Sequence, residues 1–262
     1  MNTAVVTGAG RGIGREIARL LVGRGMSALV TDTNEDAARE TAELLGDRAW
    51  PMALDVRDPD AHRAAAAAAI ERGPLKVWVN NAGVLRTQKA WEHPDDDIRL
   101  MVDVNLLGVI WGSRAAVDAM RPLGGDIINM ASMSSFGPVP GLAVYGATKH
   151  AVLGFTQSLQ GDLDDSGIPI RTHAICPDAV DTGMVRERQA DDEAAIIFSA
   201  PRFLTPGEVA QKAVASIGER KPIVPIPASR AVLVRTMALF PRLNLRLIPL
   251  FKKAGEKKRA AV

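Results

Sequence analysis

The chain has 262 residues, 47% hydrophobic and 24% charged, a balance that excludes an intrinsically disordered chain. Its single cysteine, Cys176, excludes an intrachain disulfide and suits a reducing, cytoplasmic setting. The formal charge of +2 conceals nine Lys/Arg against Glu256 alone in 228–262, which is +8 there and −6 elsewhere; basic charge confined to a tail argues against nucleic-acid binding. Strand-like sequence from Thr3 leaves no room for a signal peptide. No run of about 18 uninterrupted apolar residues occurs, so no spanning helix is expected.

Seven β-rich runs alternate with helical stretches. The predicted strands are Thr3–Thr7, Ala28–Asp32, Trp50–Leu54, Lys76–Asn80, Asp126–Ala131, Ile170–Ile175 and Ile223–Ile226. Helices are expected near Ile13–Arg24, Glu35–Leu45, Asp60–Arg72, Asp95–Met120, Tyr145–Leu163 and Pro206–Gly218. Such alternation implies βαβ units, hence an α/β fold whose parallel sheet is covered on both faces. The alanine run 64–69 reads as a tightly packed helix. The economical division is one domain, 1–227, and a tail, 228–262.

The first strand runs into Thr7-Gly8-Ala9-Gly10-Arg11-Gly12-Ile13-Gly14, which opens the first helix. Glycines permit a sharp turn and close approach to phosphates, and the free N–H groups of a helix start favour a diphosphate. A tight βα turn with no ligand is the competing reading. Asp32 ends the second strand, where a carboxylate accepts from both ribose hydroxyls and repels a 2′-phosphate. That favours NAD over NADP; Arg11 counts the other way.

Tyr145, the only tyrosine, and Lys149 are four apart in a helical stretch and share a face. An ammonium about 4 Å away would lower the phenol's pKa from its ordinary value of about 10. Ser132 lies thirteen residues before Tyr145, with Ser134 and Ser135 as competitors. His62, His93, His150 and His173 show no metal-ligand spacing, so no metal site is expected. Cys176 reads as a buried structural residue.

The glycine loop, Asp55-Val56, Asn80-Asn81-Ala82-Gly83, Asn105, Ser132, Tyr145-x-x-x-Lys149 and Pro177…Thr182, in this order, resemble the short-chain dehydrogenase/reductase family over residues 3 to about 218. The resemblance implies a Rossmann-like doubly wound sheet of about seven strands. It implies Tyr145 as general acid/base, Lys149 on the nicotinamide ribose, Ser132 on the substrate oxygen and Asn105 anchoring a relay water. Asp55 and Val56 would flank the adenine, Asn81, Ala82 and Gly83 would approach the ribose, and Pro177, Val180 and Thr182 would meet the carboxamide. Asp178 stands where the family pattern has glycine, which puts that loop's geometry in question.

The implied activity is hydride transfer between NAD(H) and a secondary alcohol or ketone. Apolar residues beside the chemistry (Val84, Leu85, Met133, Phe136, Pro138, Val139, Leu142, Met184) suggest a lipophilic small molecule, and 184–203 resembles the family's variable substrate lid. The family further implies a homo-oligomer, dimer or tetramer. The alternative is a nucleotide-sensing or membrane-surface protein without turnover. In the tail, Arg235, Arg242, Arg246 and Lys253 fall within about 40° at 100° per residue, the pattern of a basic amphipathic helix on an anionic membrane surface. The competing reading folds the tail's apolar residues back over the cleft or against a second subunit.

Overall fold

Seven strands, Thr3–Val6 (β1), Ser27–Asp32 (β2), Ala49–Ala53 (β3), Leu75–Asn80 (β4), Gly125–Met130 (β5), Ile170–Pro177 (β6) and Ile223–Ile226 (β7), pair in parallel. Their order is β3-β2-β1-β4-β5-β6-β7, the expected Rossmann-like sheet. The structure, a computed structural model, describes residues 1–259; positions 260–262 of the basic tail lie outside the described residues. The helices are Gly12–Gly23 (α1), Glu35–Leu45 (α2), Pro59–Glu71 (α3), Asp95–Val102 (α4), Gly108–Met120 (α5), Ala143–Asp165 (α6), Gly183–Arg186 (α7), Pro206–Ala215 (α8), Ala228–Ala238 (α9) and Pro241–Arg259 (α10).

Side chains alternate across each strand. Val6, Val30, Val79 and Ile128 pack on one face with α1 and α8; Val5, Leu29, Trp78 and Ile127 pack on the other with α3 and α5. In α3, Ala65, Ala66 and Ala69 are buried as the alanine run predicts. Pro59 opens that helix and the Asp58 side chain accepts from the Asp60 N–H.

Two expectations change. The helix predicted over Asp95–Met120 is interrupted by a π-helical turn, Asp103–Leu107, between α4 and α5; such turns concentrate at functional sites. Its length and mean hydropathy of 1.3 match those of a spanning helix, but half of that window is buried inside the fold. The tail does not form one helix phase. It breaks at Leu239–Phe240, and Pro241 opens α10, a position where a missing N–H costs nothing. Arg235 therefore leaves the cationic face assigned to it and stacks over Phe136, its guanidinium 4.2 Å from the ring centre.

Candidate active site

A cleft of about 900 Å³ opens where the sheet order reverses between β1 and β4, the usual ligand position in doubly wound sheets. Gly8, Arg11, Gly12 and Ile13 line it. Gly8 has φ +60°, and a Cβ there would sit 2.7 Å from Ala82 Cα, so only glycine fits this turn. Gly10 and Gly14 do not face the cleft. Gly10 donates its N–H to Asp32 Oδ2 at 3.1 Å, and Gly14 packs beneath the Gly8 carbonyl.

The end of β4 clamps this loop. Asn81 Nδ2 donates to the Thr7 and Gly8 carbonyls, both at 2.9 Å. Thr7 Oγ1 accepts from the Asn81 and Ala82 N–H groups at 3.0 and 3.1 Å. Asn81 lines the cleft, yet its amide is committed to holding the loop; Ala82 and Gly83 line the same wall. Asp55 and Val56 lie farther along. Asp55 is held by Arg57, whose Nε donates at 2.9 Å, and this bond keeps its carboxyl below the usual range. Arg11 pairs with Glu187, at 3.6 Å.

Ser132, Tyr145 and Lys149 line the same cleft. Ser132 starts a short 3₁₀ turn, Met133–Ser135, with reciprocal caps: its Oγ accepts from the Ser134 N–H at 3.2 Å, and Ser135 Oγ accepts from its own N–H at 3.3 Å. Ser135 Oγ donates to the Lys149 carbonyl at 2.7 Å, fixing α6 to the serine turn. Lys149 is 4% exposed, and its ammonium donates to the Met130 carbonyl at 2.7 Å.

The expected lowering of the Tyr145 pKa is not what this geometry gives. Lys149 Nζ lies 5.7 Å from the ring centre. Burial pushes the phenol up to about 12, opposed only by the Ser132 hydroxyl. Burial also pushes Lys149 down to about 8. Desolvation of the phenol sets the direction.

Asn105 does not line the cleft. The π turn points it inward, where its Nδ2 donates to the Val84 carbonyl at 2.9 Å and its Oδ1 accepts from the Val84 N–H at 2.8 Å. Phe136 is likewise a core residue beneath Arg235 rather than part of the lining. Cys176 is fully buried, and burial pushes its thiol up to about 12.

Pro177, Val180 and Thr182 border the cleft after β6. Asp178 needs none of glycine's freedom, since no described non-glycine residue has positive φ. Its N–H donates to the Ile226 carbonyl at 2.8 Å, and its carboxylate faces Arg230 Nε of α9 at 3.4 Å.

Sequence reasoning missed one feature. A buried polar chain links Trp78, Asn80, Ser113, Asn129 and Thr156: Asn80 Nδ2 donates to Ser113 at 3.1 Å and to Asn129 at 2.8 Å, and Asn129 donates to Thr156 at 3.0 Å. It ties β4, α5 and β5 to α6, which carries Tyr145. Asparagines inside apolar strand runs were the available signal. The tail follows the reading that folds its apolar residues back over the cleft, as a roof. Arg230, Leu233, Val234 and Met237 of α9 and Asn244, Ile248 and Phe251 of α10 line the cleft, and α10 packs along Asp192–Ser199.

Comparison with known proteins identifies the family and the fold. The family model described as short chain dehydrogenase matches residues 2–193. Probable oxidoreductase EphD of Mycobacterium tuberculosis is 33% identical over 239 residues, covering 84% of this chain but 40% of that relative; the chain thus spans well under half the length of that protein. A short-chain dehydrogenase/reductase from Burkholderia phymatum, solved with NAD, superposes with TM-score 0.82 at 28% identity, covering 89% of this chain and 92% of that one. An actinorhodin polyketide ketoreductase variant with NADPH gives TM-score 0.77 at 34% identity, covering 86% and 95%. The chain belongs to the short-chain dehydrogenase family.

Proposed function

We propose that the chain is an oxidoreductase that moves a hydride between NAD(H) and a secondary alcohol or ketone of lipophilic type. The observation that carries this reading is that Ser132, Tyr145 and Lys149 line one cleft with the glycine loop and Asp32. The residues fit a dinucleotide: Gly8, Gly12 and Ile13 line the cleft, and the loop lies at the start of α1, where N–H groups are free. In this reading Gly8, Gly12 and Ile13 hold the diphosphate, with Gly10, Gly14 and Asn81 shaping the loop beneath it. Asp32 takes the adenosine ribose, Asp55 and Val56 the adenine, and Ala82, Gly83 and Lys149 the second ribose. Pro177, Val180 and Thr182 border the carboxamide.

NAD(H), when bound, accepts or supplies the hydride. Tyr145 gives a proton to the substrate oxygen or takes one from it, and Ser132 hydrogen-bonds that oxygen. A phenol pushed up to about 12 stays protonated at neutral pH, which suits donation to a carbonyl. Lys149, at about 8, remains mostly cationic there and favours negative charge developing on Tyr145. Asn105 holds the Val84 backbone behind the site. NAD is preferred because Asp32 faces the cleft while Arg11 is drawn to Glu187. Leu100, Met133, Val139, Met237 and Phe251 on the lining support a lipophilic substrate, and assembly as a dimer or tetramer belongs to the same reading.

The test is a panel of secondary alcohols and ketones followed by NADH absorbance, repeated with Tyr145→Phe. The wild type should turn over apolar members. The variant should lose about 10²–10⁴-fold in kcat while still binding NADH. A variant retaining more than about a tenth of kcat removes Tyr145 from the proton transfer.

A further inference from the structure

The outer surface of the roof has no role in the reaction above. Seven of the twelve exposed large apolar side chains among the described residues lie between Val232 and Leu250, and all of them but Leu233 lie off the cleft lining. Leu239 and Phe240, at the elbow between α9 and α10, are 76% and 59% exposed. A concentration of this kind beside a cleft mouth marks an interaction surface.

The cations of α10 fall into two sets. Lys252 pairs with Glu193 at 3.2 Å, Arg259 pairs with Asp192 at 2.7 Å, and Lys258 donates to the Ala200 carbonyl at 2.7 Å. These face the fold and fasten the helix. Arg242, Arg246, Lys253 and Lys257 make no ion pair among the described residues. At 100° per residue they span about 60°, whereas the buried Asn244, Ile248 and Gly255 span about 40° on the opposite side. The unpaired cations are thus an outward stripe, bordered by exposed Leu243, Leu245 and Leu250.

From this we infer that the outer face of α9–α10 docks on an anionic lipid surface. Leucines and Phe240 enter the headgroup boundary while the stripe meets lipid phosphates, the arrangement of a helix lying in the interface plane. Charge decides against a second copy as occupant: symmetric pairing would set one cationic stripe against another, whereas anionic lipid neutralises it. The surface stands independently of the proposed reaction. It would place the cleft mouth at the source of a lipid-dissolved substrate only if that reaction is right.

The test is co-sedimentation of the full chain with phosphatidylglycerol/phosphatidylcholine vesicles and with phosphatidylcholine vesicles, at low and high salt, without measuring turnover. Binding should require phosphatidylglycerol and weaken at high salt. It should fall roughly 100-fold in Arg242→Glu/Arg246→Glu/Lys253→Glu, with the thermal midpoint retained. Leu239→Ser/Phe240→Ser should also weaken binding, and it decides the matter if the charge-reversed chain fails to fold. No binding to anionic vesicles at low salt overturns the inference, as does equal binding by the folded variants. A concentration-dependent dimer dissolved by Leu239→Ser/Phe240→Ser, without vesicle binding, would assign the face to a second copy and overturn it too.

Discussion

Asp178 and Arg230 join the loop after β6 to the roof, and they make a quantitative test of how the tail is held. The two side chains are 17% and 20% exposed and 3.4 Å apart. At an effective dielectric of about 20, attraction at that distance is about 5 kcal/mol. Burial nevertheless pushes the Asp178 carboxyl above its ordinary range, against the pull of Arg230, so desolvation consumes most of the attraction. The intact pair therefore adds little stability, while either partner alone is stranded. Removing one member of a fully buried pair costs about 3–5 kcal/mol; with a fifth of each side chain exposed, we expect about 2 kcal/mol for Asp178→Ala or Arg230→Met. That lowers Tm by about 4–8 °C. Asp178→Ala/Arg230→Met leaves no stranded charge and should recover most of the loss. Thermal unfolding of the four proteins at one pH is the assay. Additive losses in the double variant, or single losses within about 0.5 kcal/mol of zero, would refute the reasoning.

Acid should unfold the chain partly through Asp126. Burial raises its carboxyl, but bonds from His173, Arg171 and the Gly218 N–H more than offset that and bring it to about 2. The gap below 3.8 corresponds to about 2.5 kcal/mol, fully present above pH about 4 and lost as pH falls through 3.8 toward about 2. Urea midpoints for wild type and Asp126→Asn across that range should converge; parallel curves would show that Asp126 does not carry the effect. Asp32→Ala should narrow the preference for NAD over NADP by about 10-fold, as one charge is removed at the cleft rim. The kcat/KM ratio for the two cofactors reads this, and equal or stronger use of NADP by the wild type would reverse the assignment.

What could be read in the sequence had local causes. Val5 and Val6 face opposite sides of the sheet because strand side chains alternate, so the strand runs lie close to their predicted places. The glycine loop was legible because Gly8 answers to a backbone contact with Ala82 that no other residue permits. Features made by distant partners were not legible. The π turn at Asp103–Leu107 accompanies a pair of hydrogen bonds between Asn105 and Val84, 21 residues away. The partner of Asp178 lies in α9. The pKa of Tyr145 followed burial rather than the four-residue spacing to Lys149, because spacing sets which groups are near and says nothing of the water removed from them.

The cleft consequently has two ends with different logic. At the glycine-loop end nearly every contact is to backbone: Asn81 on the Thr7 and Gly8 carbonyls, Thr7 on the Asn81 and Ala82 amides. Side chains there are constrained to shapes that serve a fixed main chain, and substitutions are expensive. At the roof, α9 and α10 meet the cleft through Leu233, Val234, Met237, Ile248 and Phe251, and α10 is fastened to Asp192–Ser199 by exposed or half-buried ion pairs at Glu193 and Asp192. Surface pairs of this kind contribute about 0–1 kcal/mol each, while the apolar lining side chains carry no hydrogen-bond obligations. Val234 packs with Met133 and Phe136 beside the Ser132 turn, so a change there reaches the turn, whereas Ile248 and Phe251 of α10 line the cleft outside that cluster. Under the proposed reaction, α10 is the part of the roof where substrate choice can vary apart from proton transfer.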